Sequence, residues 1–218
     1  MTPRILSIQA GMPVTYPPVE LGGQEWRSGI VKTGVAGAVR LGRLGLEGDG
    51  QADLRNHGGE NRAVNAYPAE HYEFWRQTPG LESMTGGAFG ENFTLLGLLE
   101  TTACVGDVFR AGEVVVEISQ PRGPCYKLDR RWHVPDLSQR AEQTHRFGWY
   151  FRVREEGCVE AGTDLVLLER PFPQWTVARV WDVTFDSALR ESARELVECA
   201  ALSDSWREAL RKRLEGRG

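Results

Sequence analysis

Residues 120–125 read QPRGPC and stand directly after the run EVVVEIS. Cys125 lies three residues after Arg122 and two before Lys127. The thiolate, not the thiol, is the nucleophile and metal ligand, and neighbouring cations lower a thiol's pKa. Pro121 and Pro124 fix φ and remove two N–H donors, which stiffens the loop that presents the sulfur. The chemistry on offer is nucleophilic attack or ligation of a soft metal. The competing reading is a buried structural cysteine, the common fate of a free thiol. Cys104, Cys158 and Cys199 stand in apolar or helical contexts and read as packing residues. No two cysteines form a CxxC pair, so a clustered zinc site is weakly supported.

A second polar concentration is GLEGDGQADLRNHGGENRAV, residues 45–64. Asp49, Asp53, Arg55, His57, Glu60, Asn61 and Arg62 crowd there between glycines. His57 is an acid–base or polar contact near neutral pH, and Gly58-Gly59 would let backbone approach a ligand closely. A solvated loop held by its own Asx turns is the alternative. The spacing is not a dinucleotide-binding GxGxxG, because the following helix is missing. A third piece, GAFGENF at 87–93, offers backbone N–H groups, Glu91 and Asn92 at a strand entrance, or a plain turn. Glu70 and His71 fall on an amphipathic helix and read as solvated, and nothing recruits His133 or His145.

The elements that must position these residues are mostly short strands. ILSIQAG (5–11), SGIVKTGV (28–35), AVRLG, RAVNAY (62–67) and TLLGL read as strands, and a Pro/Gly-rich loop runs from Pro13 to Gly23. AEHYEFWRQ reads as one helix behind Pro68. GDVFRAGEVVVEIS is a hairpin turned at Ala111-Gly112, with Val114, Val116 and Ile118 on one face. GWYFRVREEG (148–157) reads as a core strand, and TDLVLLER (163–170), apolar on both faces, as a buried one. Many strands, Gly turns and few helices predict a mostly β fold, a closed or nearly closed β-barrel. After Pro171-Phe172-Pro173 the pattern turns helical, with WTVARVWDVTF as a short first helix or a final strand, helix being favoured. A stripe through Leu189, Ala193, Leu196, Val197 and Ala200 follows, then a helix capped at Ser203-Asp204. The expected division is a barrel over 1–170 and three helices over 171–218. Helices so short must dock on the barrel or on a second subunit, so a homodimer is possible.

Composition excludes some functions. The net charge is −4, from 26 Lys+Arg against 30 Asp+Glu over 218 residues. That is no footprint for a nucleic acid polymer, and the basic end RKRLEGRG reads as a solvated helix end. No stretch approaches the ~18 apolar residues that span a bilayer, so no membrane partner is expected. No apolar signal region opens the chain, and a cytoplasmic location with reduced thiols is expected.

Taken together, GDGQAD..NHGG, AFGEN and QPRGPCYKL, in this order, resemble the MOSC domain, which is named from the C-terminal domain of molybdenum cofactor sulfurases. The resemblance runs from Ser28 to Glu169 and includes VGDVFRAGEVVVEIS and GWYFRV. The helical tail resembles the three-helix domain behind MOSC in bacterial 6-N-hydroxylaminopurine resistance proteins. The resemblance implies a barrel of the PK β-barrel-like kind, a molybdenum cofactor that recombinant protein can lose, and Cys125 as the protein ligand to the metal. It implies reductive dehydroxylation of small N-hydroxylated bases and related compounds, with molybdenum taking the oxygen and two electrons resupplied. No C-x₄-C-x₂-C pattern supplies an iron–sulfur donor here, so a separate reductase must deliver electrons.

The cofactor's phosphate needs cations, for which Lys32, Arg55, Arg62, Arg122 and Lys127 are the candidates. Relatives place an Arg and a His beside the Cys, which falls on Arg55 and His57 here. His57 would donate a proton or hydrogen bond to the leaving hydroxyl, and Arg55 would steady charge. Glu91 and Asn92 would line the same pocket. The family's association with pyridoxal phosphate carries less weight, since no such domain is recognised. Two other readings stay open. One is a carrier or sulfur-transfer module without turnover. The other is a metal-free Cys–His hydrolase or transferase using Cys125 and His57.

Overall fold

A computed structural model describes residues 2–20 and 23–216. Leu21 and Gly22 of the expected Pro13–Gly23 loop, and the end of the basic tail, lie outside the described residues. In chain order the first strands are β1 (Arg4–Ala10), β2 (Val14–Tyr16), β3 (Trp26–Ser28), β4 (Thr33–Gly34), β5 (Val39–Gly42) and β6 (Gly45–Leu46). Then come α1 (Leu54–His57), a 3-10 turn (Glu60–Arg62), β7 (Val64–Pro68), α2 (His71–Trp75) and β8 (Phe93–Leu96). The hairpin β9 (Val108–Ala111) and β10 (Val114–Pro121) leads into α3 (Lys127–Trp132) and α4 (Leu137–Gln143). β11 (Trp149–Glu155), β12 (Gly157–Val159) and β13 (Val166–Glu169) complete the strands. The chain ends in α5 (Val177–Phe185), a 3-10 turn (Ser187–Leu189), α6 (Arg190–Leu196) and α7 (Asp204–Leu214).

Eight strands form one curled sheet in the order β13-β9-β10-β11-β7-β8-β1-β4. Its two ends meet where Ile5 N donates to Thr163 O and Leu165 N to Pro3 O, with an Arg4–Asp164 bridge between. The sheet is therefore a nearly closed barrel. β10 is its spine, and all eight of its residues are buried. Val114, Val116 and Ile118 face the barrel core, as their alternation predicts. The other face is covered in part by the C-terminal helices: Ser203 N donates to Ser119 O, and Arg152 Nη2, reaching over from β11, donates to Ala201 O. The barrel core runs without a break into Trp181, Val183, Leu196 and Leu210.

A second, smaller core joins Trp26, Tyr67, Tyr72, Trp75, Phe89, Leu128 and Leu137. It holds α2, α3 and α4 together under one end of the barrel. Tyr67 stacks on Phe89 at 4.2 Å, and Trp75 Nε1 donates to the Tyr67 hydroxyl at 2.6 Å. Asp129 ties α3 to α4 by accepting from both the backbone and the hydroxyl of Ser138.

Several expectations are corrected. The strand read over 28–35 is broken between β3 and β4, because Gly29 passes so close to Gly50 that a Cβ would sit 2.4 Å from its carbonyl oxygen. β13 is not buried: it is a sheet edge, with Val166, Leu167 and Leu168 exposed. DLSQRAEQ, polar in composition, contains helix α4, whose buried residues Leu137 and Ala141 are spaced four apart on one face. The helix behind Pro68 shrinks to five residues. Cys158 is exposed rather than packed. His71 is not solvated, since its Nε2 lies 2.7 Å from the buried Glu100 carboxylate, whereas Glu70 is exposed as expected and accepts from Gly97 N.

Candidate functional site

Cys125 sits in the short loop where β10 ends and α3 begins. Pro121 is the last strand residue, and Arg122 N carries the chain past it by donating to Gly148 O. Cys125 O then accepts from Leu128 N at 2.8 Å, so the thiol stands just before the first turn of α3. The loop lines a cavity of about 590 Å³, part of it open to solvent. His57, Lys32, Arg62, Asn92, Arg122 and Lys127 line it together with Cys125.

His57 arrives at the end of α1. Asp53 caps that helix by accepting from Arg55 N and Asn56 N, and the turn delivers the imidazole to the cavity. Burial, aided by the Arg122 guanidinium, pushes the His57 pKa down to about 4. At neutral pH the ring is uncharged and donates a hydrogen bond rather than a proton. Gly58 and Gly59 serve this turn, not a ligand. Gly58 N donates to Leu54 O, a Cβ on Gly58 would meet that oxygen at 2.8 Å, and Gly59 has φ 91°. Neither lines the cavity.

Arg55 does not join this group. It is exposed and does not line the cavity. Residues two apart on a helical turn point to different sides, so a turn that aims His57 inward carries Arg55 away. Arg62 supplies the neighbouring guanidinium instead, fixed by Gly58 O and Ser205 Oγ. Glu91 is also displaced from its expected place. It is fully buried and accepts from Tyr72 Oη, Gly87 N, Phe89 N and Thr94 Oγ1, so it organises the 87–91 turn beneath the cavity. Asn92 reaches the cavity, but its amide is engaged by Asn65 N and Gln9 O.

The cations differ in how far they are committed. Lys32 is buried in an ion pair with Asp49, whose charge offsets the burial that pushes the Lys32 pKa down. Lys127 Nζ donates to Arg27 O at 3.0 Å. Arg122 is 5% exposed, and its Nη2 donates to Phe89 O at 2.9 Å. Its Nη1 has no partner, and among the described residues Arg62, Arg122 and Lys127 form no ion pair with a carboxylate. A buried guanidinium with no counter-charge is costly unless an anion completes it. Asn65 Oδ1, also lining the cavity, is a buried acceptor without a donor. These open valences suit an anionic group that also carries N–H donors, which fits a pterin phosphate.

Among the described residues no three His, Cys, Asp or Glu side chains cluster as a metal site. A metal held here through Cys125 would take its remaining ligands from its own cofactor. Asn65, Phe89 and Tyr150 also line the cavity and were missed in the sequence. Asn65 and Tyr150 lie in runs that read as strand, and alternation alone does not reveal that a strand end opens into a cleft; Phe89 lies within GAFGENF, where only the backbone N–H groups, Glu91 and Asn92 read as site groups.

The MOSC domain family matches residues 53–166, and the YiiM-like 3-alpha helix domain matches residues 175–217. YflK of Bacillus subtilis is 43% identical over 210 residues, covering 96% of this chain and 93% of YflK. Protein YiiM of Escherichia coli is 40% identical, covering 85% of this chain and 84% of YiiM. A protein of Gibberella moniliformis named "Reductase" is 37% identical over 88% of this chain, which spans 35% of that protein. The crystal structure of YiiM from Geobacillus stearothermophilus superposes with a TM-score of 0.81 at 38% identity, covering 97% of this chain and 99% of that one. On this sequence and structural agreement the chain belongs to the MOSC-domain family, with a YiiM-like three-helix domain behind its barrel.

Proposed function

We propose that the chain binds a molybdenum cofactor in this cavity and reduces small N-hydroxylated compounds, nucleobases among them. One observation carries the reading: the buried Arg122 guanidinium, with no carboxylate ion pair among the described residues and one nitrogen unsatisfied, lies in the same cavity as the Cys125 thiol. Family membership supports it, and so does the name of the Gibberella relative. Cys125 would be the thiolate ligand, which suits a soft metal. Arg122, Arg62 and Lys127 would hold the phosphate, and Asn65 would accept a pterin N–H. When bound, the molybdenum would supply a two-electron centre able to take up oxygen. His57, neutral at physiological pH, would hydrogen-bond the substrate hydroxyl and orient the N–O bond. The net change is R–NHOH plus two electrons and two protons giving R–NH₂ and water, with a separate reductase supplying the electrons.

Elemental analysis of protein from a cofactor-competent host tests this. The wild type is expected to hold molybdenum near stoichiometry, while Cys125→Ala folds with little loss of stability and holds none. Molybdenum-free wild-type protein would sink the reading. Molybdenum retained without turnover of 6-N-hydroxylaminopurine by any electron donor would leave a cofactor carrier instead.

A further inference from the structure

A second, wider cleft, about 1320 Å³ including its solvent-open part, opens from the first. Asp53, His57, Arg62, Cys125, Lys127 and Tyr150 line both, so the thiol and the imidazole stand at the junction. The two spaces differ in chemistry. The inner one is cationic. The outer one is walled in large part by aromatic rings of the C-terminal helices: Trp181 and Phe185 on α5 and Trp206 on α7. Their centroids are 4.5 Å apart for Trp181 and Phe185, and 6.0 Å for each of these with Trp206. Trp181 is buried, but Phe185, at the end of α5, is 61% exposed. An exposed ring leaves unused the ~1.5–3 kcal/mol that full burial of such a side chain gives.

The polar groups of this cleft are as unfinished as its rings. Gln120 is 3% exposed, yet its amide oxygen has no partner among the described residues. The Glu142 carboxylate makes no hydrogen bond or ion pair among the described residues, and burial raises its pKa. A ligand that stacks on Phe185 and Trp206 while offering N–H groups to Gln120 and Glu142 would complete both sets. Flat aromatic heterocycles bearing amino groups have that form.

We infer that the three-helix domain supplies the substrate wall, and that Phe185 and Trp206 select flat aromatic N-hydroxylated substrates over aliphatic ones. This rests on the reductase reading of the inner cavity. The barrel then carries the reacting groups, and the appended helices decide which molecule reaches them.

Two measurements test this. In molybdenum-loaded enzyme with an artificial electron donor, kcat/KM is compared for 6-N-hydroxylaminopurine and acetohydroxamic acid. Ring stacking lost to alanine is worth ~1–3 kcal/mol per base, so the purine-to-aliphatic ratio should fall about ten- to hundredfold in Phe185→Ala and Trp206→Ala. Trp206→Phe, which keeps a ring, should restore most of it. In metal-free protein, 6-N-hydroxylaminopurine should quench the emission of Trp181 and Trp206 saturably, and Phe185→Ala should weaken that binding by a similar factor. An unchanged ratio together with unchanged quenching would overturn the inference. If neither probe turns over in the wild type but the quenching still depends on Phe185, the aromatic site stands and the reductase reading falls.

Discussion

At the scale of single residues, the site is governed by one uncompensated charge. Among the described residues Arg122 forms no ion pair with a carboxylate, and after burial it is the largest cause of the depressed His57 pKa. The two groups are therefore linked. Folded His57 binds its proton at about 4, whereas an ordinary histidine binds it at 6.5. Between those values the unfolded chain holds the extra proton, so stability falls as pH drops through 6.5 toward 4 and is level above that window. Arg122→Met removes the cation while keeping the stem. Its expected results are a higher His57 pKa by NMR titration, a narrower acid-sensitive window in thermal melts, and no loss of stability at neutral pH. An unmoved His57 resonance would mean that the guanidinium and the imidazole do not share the cavity.

At the scale of elements, the sequence was legible where alternation and burial agree. β10 is buried along its whole length, and its inward face was assigned correctly. β13 carries the same kind of apolar run and lies at an edge, because periodicity reports side-chain chemistry and not position in a sheet. The candidate site shows the same limit. Cys125, His57 and Arg122 were visible as residue types in tight loops, but Arg55 was placed by the resemblance, which sets an Arg and a His beside the Cys. Arg55 and His57 stand two residues apart on one helical turn and so on different sides of it, and that turn depends on a cap. Asp53→Ala removes the acceptor for Arg55 N and Asn56 N. Such a change costs about 1 kcal/mol of helix stability. Because α1 is short and has no buried residues, the loss should appear as faster amide exchange over residues 54–58 and weaker presentation of His57, with the melting temperature nearly unchanged. A global loss of stability would show that the loop is part of the cooperative core.

At the scale of the whole molecule, bulk charge and site charge point in opposite directions. The chain carries −4 overall, yet Arg62, Arg122 and Lys127 face one cavity without an ion pair to a carboxylate among the described residues. Net charge spoke against a nucleic acid polymer and was silent about a phosphate held at one point. The helical domain was legible as helices, but its place was not, because a stripe of apolar residues names no partner. The structure docks it on the barrel. Trp181 packs on Phe147 at 4.5 Å, His145 Nε2 meets Asp182 Oδ1 at 2.9 Å, and the core is continuous across the joint. Barrel and helices should therefore unfold together, in one calorimetric transition. Trp181→Ala cuts that shared core, and loss of a buried tryptophan costs ~3–5 kcal/mol. The variant is expected to melt at a lower temperature, still in a single step. Two separated transitions in the wild type would instead make the helices an independent unit, and the aromatic wall of the outer cleft would then depend on how that unit happens to sit.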